Sequence, residues 1–283
     1  MSGNSSKMIA FNYYGSKFTY VDWLQEHFPV NYRDLHFVDV FCGSMAVTLN
    51  KPYSKIDTAN DINSEVVNFF KVLREHPEEL ITLLRLTPVS REEYDLAWIR
   101  DDSIDPIEKA RRFYVRSRQS FYGLGSQRQN KGWYAAKTKS CSNFGETVNK
   151  WHNAIDKLWP VVDRLMHIQI ENQDFRNLIP AMDFEGVFFY CDPPYPEECR
   201  NSKNNYQHEF EIRDHEELAG LLHAVKGRAM ISSYDCPLMR RLYKDWNMAK
   251  APVKRNNIRS GVVQECIWMN YSETVAYHGN QFF

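Results

Sequence analysis

Val187-Phe188-Phe189-Tyr190-Cys191-Asp192-Pro193-Pro194-Tyr195 is the stretch on which the reading of the chain turns. Its first five residues are apolar and aromatic-rich, long enough for a buried strand. Asp192 ends the run, and neither proline after it can donate to a sheet ladder. A carboxylate, a stiff turn and an aromatic ring therefore gather at the carboxyl end of a core strand. In open α/β sheets that edge is where ligands bind. A plain Pro-Pro turn with a solvent-facing Asp is the simpler alternative; it suits a Pro-Pro pair alone better than the full tetrapeptide after such a strand.

The chemistry this grouping suggests is methylation of an exocyclic amino group. Such a nitrogen is a poor nucleophile because its lone pair is delocalised into the ring. The Asp192 carboxylate and the Pro193 carbonyl form an acceptor pair for its two N–H groups, favouring a more tetrahedral nitrogen with its lone pair aimed at a methyl donor. Pro193 and Pro194 fix the carbonyl's direction, and Tyr195 offers a face for a base to stack on. An ordinary aspartate, with a pKa of about 3.9, is a weak base for an amine, so orientation and charge stabilisation dominate. The tetrapeptide resembles motif IV of the amino-methyltransferases, in the Asp-Pro-Pro-Tyr form of the N6-adenine DNA methyltransferases.

Working outward, Phe11-Asn12-Tyr13-Tyr14-Gly15-Ser16-Lys17 precedes a helical pattern of Phe18, Val21, Trp23, Leu24 and Phe28. A Gly-Ser turn opening a helix exposes N–H groups suited to an anion, and Lys17 adds a positive charge. The segment resembles motif X of the α-group, Dam-like (D12 class) adenine methyltransferases. That resemblance implies that Tyr13 and Lys17 contact S-adenosylmethionine, with Ser16 standing where a second glycine is usual. His36 to Val40 reads as a strand entering Phe41-Cys42-Gly43-Ser44-Met45-Ala46-Val47, the layout of a nucleotide-binding βα unit. One glycine where dinucleotide folds want three argues against NAD. The segment looks like motif I of the same family, with Met45 where a second glycine is common; it brings in Phe41, Gly43 and Ser44 as cofactor residues. A second strand from Ile56 ends in Asp61-Ile62-Asn63. Asp61 lies about 20 residues past the glycine turn, where an acid can accept both ribose hydroxyls; it can equally cap the helix carrying Val66, Phe69, Phe70 and Leu73. Asp-Ile-Asn resembles motif II.

From Pro77 the pattern turns helical. Pro77-Glu78-Glu79 opens one helix, Ser90 and Glu93 have capping-box spacing before another, and a third from Pro106 buries Ala110, Phe113, Tyr114, Ser117 and Phe121. Its other faces carry Lys109, Arg111, Arg112, Arg116 and Arg118. The basic run continues through Arg128, Lys131, Lys137 and Lys139, with no Asp or Glu between Glu108 and Glu146. Most charge runs are solvated helix faces of both signs. One sign mixed with Tyr122, Trp133, Tyr134, Gln127 and Gln129 reads as a nucleic-acid surface. A further amphipathic helix from Trp151 to Leu165 is expected to break at Pro160. Ile168-Gln169-Ile170 alternates as a strand leading to Asp174-Phe175, which resembles motif III and is a cofactor candidate; Asp174 can also simply cap the next helix. Pro196 to His208 is a polar loop, with Asp214 and Glu217 at cap spacing after it. Ala229 to Asp235 and Val262 to Met269 read as strands. Arg240, Arg241, Lys244, Lys250, Lys254, Arg255 and Arg259 form a second basic segment able to grip phosphates.

With 283 residues and a net charge of −1, any attraction to nucleic acid must come from such local patches. The six cysteines show no C-x-x-C spacing or metal-ligand rhythm, so reduced thiols and no metal are expected. MSGNSSKMIAF lacks an apolar signal core, and no run reaches membrane-spanning length. A cytoplasmic protein without membrane contact is expected, prokaryotic or phage-encoded by the resemblance.

Four segments thus occur in the family's order. The resemblance implies an α/β, Rossmann-like S-adenosylmethionine-dependent sheet over residues 1–75 and 168–283, interrupted by a mainly helical target-recognition domain over 76–167. It implies methyl transfer from S-adenosyl-L-methionine to N6 of a flipped adenine in DNA, taken as double-stranded, as in restriction–modification or solitary DNA methylation. Asp192, Pro193, Pro194 and Tyr195 are the expected catalytic residues. Tyr13, Lys17, Phe41, Gly43, Ser44, Asp61, Asp174, Phe175 and Asp192 are expected at the cofactor. Arg112, Arg116, Arg118, Arg128, Lys131, Lys137 and Lys139 are expected at DNA. The alternatives are N4-cytosine DNA or RNA N6-adenine methylation, or a silent DNA-binding methyltransferase fold.

Overall fold

A computed structural model describes residues 7–99, 101, 103–120, 132–135, 140–141, 144–199, 209–252 and 264–275. The chain divides into two compact units. The first comprises Met1–Phe18, Gly43–Asn50 and Asn63–Ile170, the second Thr19–Cys42, Lys51–Ile62 and Glu171–Phe283.

Strands β1 (His36–Asp39) and β2 (Ile56–Asn60) come first in the chain, and β3 (Ser140–Cys141) and β4 (Phe144–Gly145) form a separate short pair. They are followed by β5 (Ile168–Glu171), β6 (Val187–Cys191), β7 (Arg228–Tyr234), β8 (Asn247–Lys250) and β9 (Glu265–Met269). Among the described residues the main sheet has seven strands in the order β5-β2-β1-β6-β7-β9-β8. β1 is parallel to β2 and β6, β6 is parallel to β7, and β9 runs antiparallel between β7 and β8. The strand order reverses direction between β1 and β6, which is where a doubly wound sheet opens its ligand crevice. The register Asp39↔Tyr190 ends β1 just short of Asp192.

β6 is buried along its whole length and β1 at three of its four residues. That is why both read as continuous apolar runs, as parallel strands covered on both faces do. On one side Phe28 packs edge-to-face on Phe188 at 5.1 Å, and Phe37 does so at 5.6 Å. Elsewhere in the same unit Val187, Phe189 and Cys191 join Leu178, Leu218, Leu222 and Trp268 in one cluster.

The helices are α1 (Val21–Glu26), α2 (Ala46–Asn50), α3 (Ser64–Glu75), α4 (Pro77–Leu86), α5 (Arg91–Leu96) and α6 (Pro106–Gln119). After them come α7 (Glu146–Asp156), α8 (Leu158–Leu165), α9 (Phe175–Met182), α10 (Ile212–Ala224) and α11 (Pro237–Leu242). α6 starts as its sequence demands: Pro106 takes the first position and the Asp105 carboxylate accepts from the Ile107 N–H at 2.7 Å. Ala110, Phe113, Tyr114 and Ser117 line its buried face. The first unit extends on both sides of α6. It takes in α3 because Phe69 stacks on Tyr114 of α6 at 5.6 Å and Phe11 meets Phe113 edge-to-face at 4.9 Å.

Three local expectations shift. The break between α7 and α8 falls at Lys157, and Pro160 lies in the first turn of α8, where a missing N–H costs no helical bond. α10 is capped by Glu211, whose own N–H reaches Asp214 at 2.8 Å, so Asp214 is the distal half of a capping box rather than the cap. β8 lies in the second basic segment, where a mostly exposed edge strand offers no apolar alternation to read. No helix among the described residues is long and apolar enough to cross a membrane.

One strong interaction of the second unit leaves no mark in the sequence pattern. Lys51 Nζ reaches Asp57 at 2.6 Å with both side chains essentially fully buried, donates to Ser54 Oγ and the Pro52 carbonyl, and lies 4.4 Å from the Phe37 ring centroid. Lys51→Met leaves the Asp57 carboxylate buried without its counter-charge and is expected to cost about 3–5 kcal/mol. Urea denaturation checks this: a loss below about 1 kcal/mol contradicts a structural role for the pair.

Candidate active site

Within the second unit, the residues that follow the ends of β1 and β6 gather around Asp192. Pro193 and Tyr195 are buried, Asp192 and Pro194 partly so. Ser232, from the middle of β7, donates to Asp192 Oδ1 at 2.8 Å, with Cys191 O at 3.3 Å as a second, weaker acceptor. The Tyr195 hydroxyl donates to the Glu265 carboxylate at the start of β9, and its ring meets Tyr234 edge-to-face at 4.7 Å. Tyr195 is only 5 % exposed, so it forms a wall of the site more than an open stacking platform. Burial, with the negative charges of Asp192 and Glu265, pushes its phenol well above the ordinary range and keeps it a donor. Burial likewise pushes up the Cys191 thiol, aided by Asp39 and Asp192. No thiolate nucleophile is available at that position.

Asp61 follows the end of β2 and is 8 % exposed. The cap of α3 is Asn63, whose side chain accepts from the Glu65 N–H at 3.0 Å, and not Asp61. Its charge reaches the Cys42 thiol, which burial first and then Asp61 and Asp39 raise well above normal. Asn172 holds the chain here by donating to the Asp61 carbonyl at 2.8 Å. Asp174 does cap α9, accepting from the Arg176 N–H at 2.8 Å, and its carboxylate also pairs with the Arg176 guanidinium at 3.1 Å. Arg176 is shared with Asp214 and Glu217. Phe175 is buried against Phe41 at 5.8 Å and Phe210 at 5.4 Å, an aromatic group that places the half-buried Phe41 ring.

Tyr13, Lys17, Gly43 and Ser44 fall in the first unit. Gly43 has φ +48°, and a Cβ on it would lie 2.6 Å from a carbon of the Tyr13 ring. Both the backbone conformation and the close approach therefore demand glycine. Ser16 and Ser44, which stand at or beside the glycine positions of the two motifs, meet through their hydroxyls at 3.0 Å. Met45 keeps φ +52° without being glycine, so the left-handed turn survives the substitution at a cost in strain. Lys17 lies in a 3-10 turn (Lys17–Thr19), 6 % exposed, with its ammonium donating to the Gly15 carbonyl at 3.2 Å.

The basic residues divide. Arg128, Lys131, Lys137 and Lys139 lie outside the described residues, as do Lys254, Arg255 and Arg259. Arg116, expected on a nucleic-acid face, is 3 % exposed and ion-paired with Glu65 at 2.5 Å. Arg112 pairs with Glu108 at 2.7 Å and donates to the Ile99 carbonyl. Arg118 donates to Asn12 Oδ1 at 2.9 Å and Ala10 O at 3.1 Å and lies over the Tyr114 ring. These three arginines sit on a helix whose acidic partners come from elsewhere in the chain or from the preceding turn, which a one-sign count along the sequence cannot register. In the second unit Asp235 takes both Arg240 and Lys250, which hold its carboxyl down to about 2. Sequence reasoning misses Ser232 and Glu265: Ser232 has Ser233 beside it, Glu265 opens its strand, and the partners of both lie far along the chain.

A family model described as D12 class N6 adenine-specific DNA methyltransferase matches residues 13–257. The chain is 29 % identical over 277 residues to the type II methyltransferase M1.LlaDCHI of Lactococcus lactis subsp. cremoris, covering 91 % of this chain and 93 % of that protein. It is 26 % identical over 261 residues to the DNA N-6-adenine-methyltransferase of Escherichia phage P1, covering 86 % of this chain but 32 % of the phage protein. It is 24 % identical over 258 residues to a DNA adenine methylase of Vibrio cholerae, covering 87 % and 88 %.

Arg116→Gln separates the two roles open to that arginine. Loss of the Glu65 pair is expected to cost about 2 kcal/mol of stability, with the salt dependence of DNA binding unchanged. A flatter salt dependence, by about one counterion, at unchanged stability would mark a phosphate contact instead.

Proposed function

The chain belongs to the D12 class of N6 adenine-specific DNA methyltransferases, and on that premise we propose that its Asp192-Pro193-Pro194-Tyr195 segment methylates N6 of an adenine drawn out of duplex DNA. The observation that carries this reading is the placement of Asp192 at the carboxyl end of β6, beside the sheet's switch point, with its carboxylate held by Ser232.

The family implies S-adenosyl-L-methionine, which when bound supplies an activated methyl group on a positively charged sulfur. Each unit, taken by itself, holds residues whose chemistry suits a part of such a group. In the second unit the acidic side chain of Asp61 suits a pair of ribose hydroxyls, and Phe41, wedged by Phe175 and Phe210, offers a flat apolar edge. In the first unit the Gly43 turn lets the Tyr13 ring lie directly against the backbone, and Lys17 is the cation for a carboxylate. Asp174, engaged by its helix cap and by Arg176, is supported as a structural residue more than as a cofactor ligand.

Asp192 and the Pro193 carbonyl accept the two N–H groups of the adenine amino nitrogen. Two acceptors on one side draw that nitrogen out of conjugation and turn its lone pair away from them. As the new C–N bond would form, the donor's methyl–sulfur bond would break with its electron pair passing to sulfur. Positive charge grows on nitrogen, the Asp192 carboxylate stabilises it in a setting partly shielded from water, and one N–H proton then leaves to Asp192 or to water. The prolines hold the carbonyl without any N–H that could compete for it. Tyr195, anchored through its hydroxyl, limits how far the base can tilt. Unpairing the adenine costs a few kcal/mol, offset by contacts in the pocket. Contacts to DNA fall to the basic residues 128–139 and not to Arg116.

Incubation with labelled S-adenosyl-L-methionine and unmethylated duplex DNA, followed by digestion to nucleosides and mass spectrometry, tests this reading. N6-methyladenine is the expected product. N4-methylcytosine would overturn the base assignment, and label confined to RNA would overturn the substrate.

A further inference from the structure

We propose that Ser232 and Glu265 are positioning residues for this reaction, holding the two ends of the Asp-Pro-Pro-Tyr segment from the paired strands β7 and β9. The inference rests on the reading that Asp192 orients the amino nitrogen, and it adds how that orientation is maintained.

Both residues are out of place in their strands. β7 is buried over its five central residues and β9 throughout. Burying a hydroxyl or a carboxylate in such strands is unfavourable unless each is hydrogen-bonded. Ser232 is 0 % exposed and Glu265 7 %, and each finds a partner in the tetrapeptide. The Ser232 hydroxyl lies 2.8 Å from Asp192 Oδ1, and Glu265 receives the Tyr195 hydroxyl. The strands carrying them are locked in register, with Ser232 opposite Ile267 and Tyr234 opposite Glu265. The two anchors are therefore set by a sheet ladder and not by loops.

The consequence is geometric. An aspartate's terminal torsion is broad and nearly two-fold, so an unheld carboxylate samples many planes. Fixing Oδ1 fixes the plane and with it the direction of Oδ2. Strand β6 ends at Cys191, so Asp192 and the residues after it follow the last strand residue. Side-chain bonds from β7 and β9 restrain them there. At the other end, the Tyr195 ring is clamped between its bond to Glu265 and its edge contact with Tyr234, 4.7 Å away. With both ends pinned, the Pro193 carbonyl between them has little freedom to turn. Small misplacements of reacting groups cost up to about a hundred-fold in rate, which sets the size of effect to expect.

The test compares Ser232→Ala, Ser232→Thr, Glu265→Gln, Glu265→Ala and Asp192→Ala in steady-state and single-turnover assays on duplex DNA, with melting temperatures alongside. Ser232→Ala is expected to lower kcat about 10- to 100-fold, with KM for DNA and for S-adenosyl-L-methionine within about three-fold. Ser232→Thr, which keeps the hydroxyl, should recover most of the rate. Glu265→Gln, still an acceptor for the Tyr195 hydroxyl, should act more like the unaltered enzyme than Glu265→Ala does. A Ser232→Ala enzyme whose kcat stays within about two-fold would overturn the proposal. So would a loss that Ser232→Thr fails to recover, or one that tracks the folded fraction. Full turnover by Asp192→Ala would instead sink the reading on which the proposal stands.

Discussion

The end of one hydrogen-bonded ladder governs this molecule. β1 and β6 pair in parallel at the point where the sheet reverses its order, and Pro193 and Pro194 forbid β6 from continuing. Past that stop the segment is held by side chains of the neighbouring strands: the Ser232 hydroxyl donates to the Asp192 carboxylate, and Glu265 accepts from the Tyr195 hydroxyl. The same interruption that makes the segment available to a substrate thus requires a second set of contacts to hold it still. Burial serves the chemistry too, since it keeps Tyr190, Tyr195 and Cys191 protonated around Asp192.

Charge is largely consumed by internal pairing. The chain is nearly neutral overall, and the described arginines of α6 are mostly engaged within their own unit. Arg111 bridges Glu108 and Glu93, Arg112 also uses Glu108, and Arg116 takes Glu65. These bonds tie α3, α5 and α6 together. A helix rich in arginine can therefore serve as a mortise for its neighbours.

Much of the second unit is legible in the amino-acid sequence. β6 can be placed to the residue because five consecutive apolar residues flanked by a carboxylate and prolines have few other solutions. In the first unit the glycine turn at Gly43 is also plain, and Gly43 needs its glycine for the Tyr13 contact as well as for φ. What escapes is whatever depends on a distant partner. Asp61 and Asn63 compete for one cap, and spacing alone does not say which wins. Pro160 breaks a helix or starts one depending on where the preceding helix stops. The Lys51–Asp57 pair looks like two ordinary surface residues until both are found buried. Ser232 and Glu265 act through residues 40 and 70 positions away, a distance over which sequence pattern carries no signal.

The central claim is that Asp192 works on the reacting nitrogen and not on binding. Single-turnover methyl transfer by Asp192→Asn, measured beside equilibrium affinities for DNA and S-adenosyl-L-methionine, tests it most directly. Asparagine keeps an acceptor oxygen but not the charge that stabilises nitrogen as it becomes positive. The chemical step is expected to slow by about a hundred-fold or more, with both affinities within a few-fold. A chemical step of normal rate, or a loss of activity that follows a loss of affinity, would contradict it.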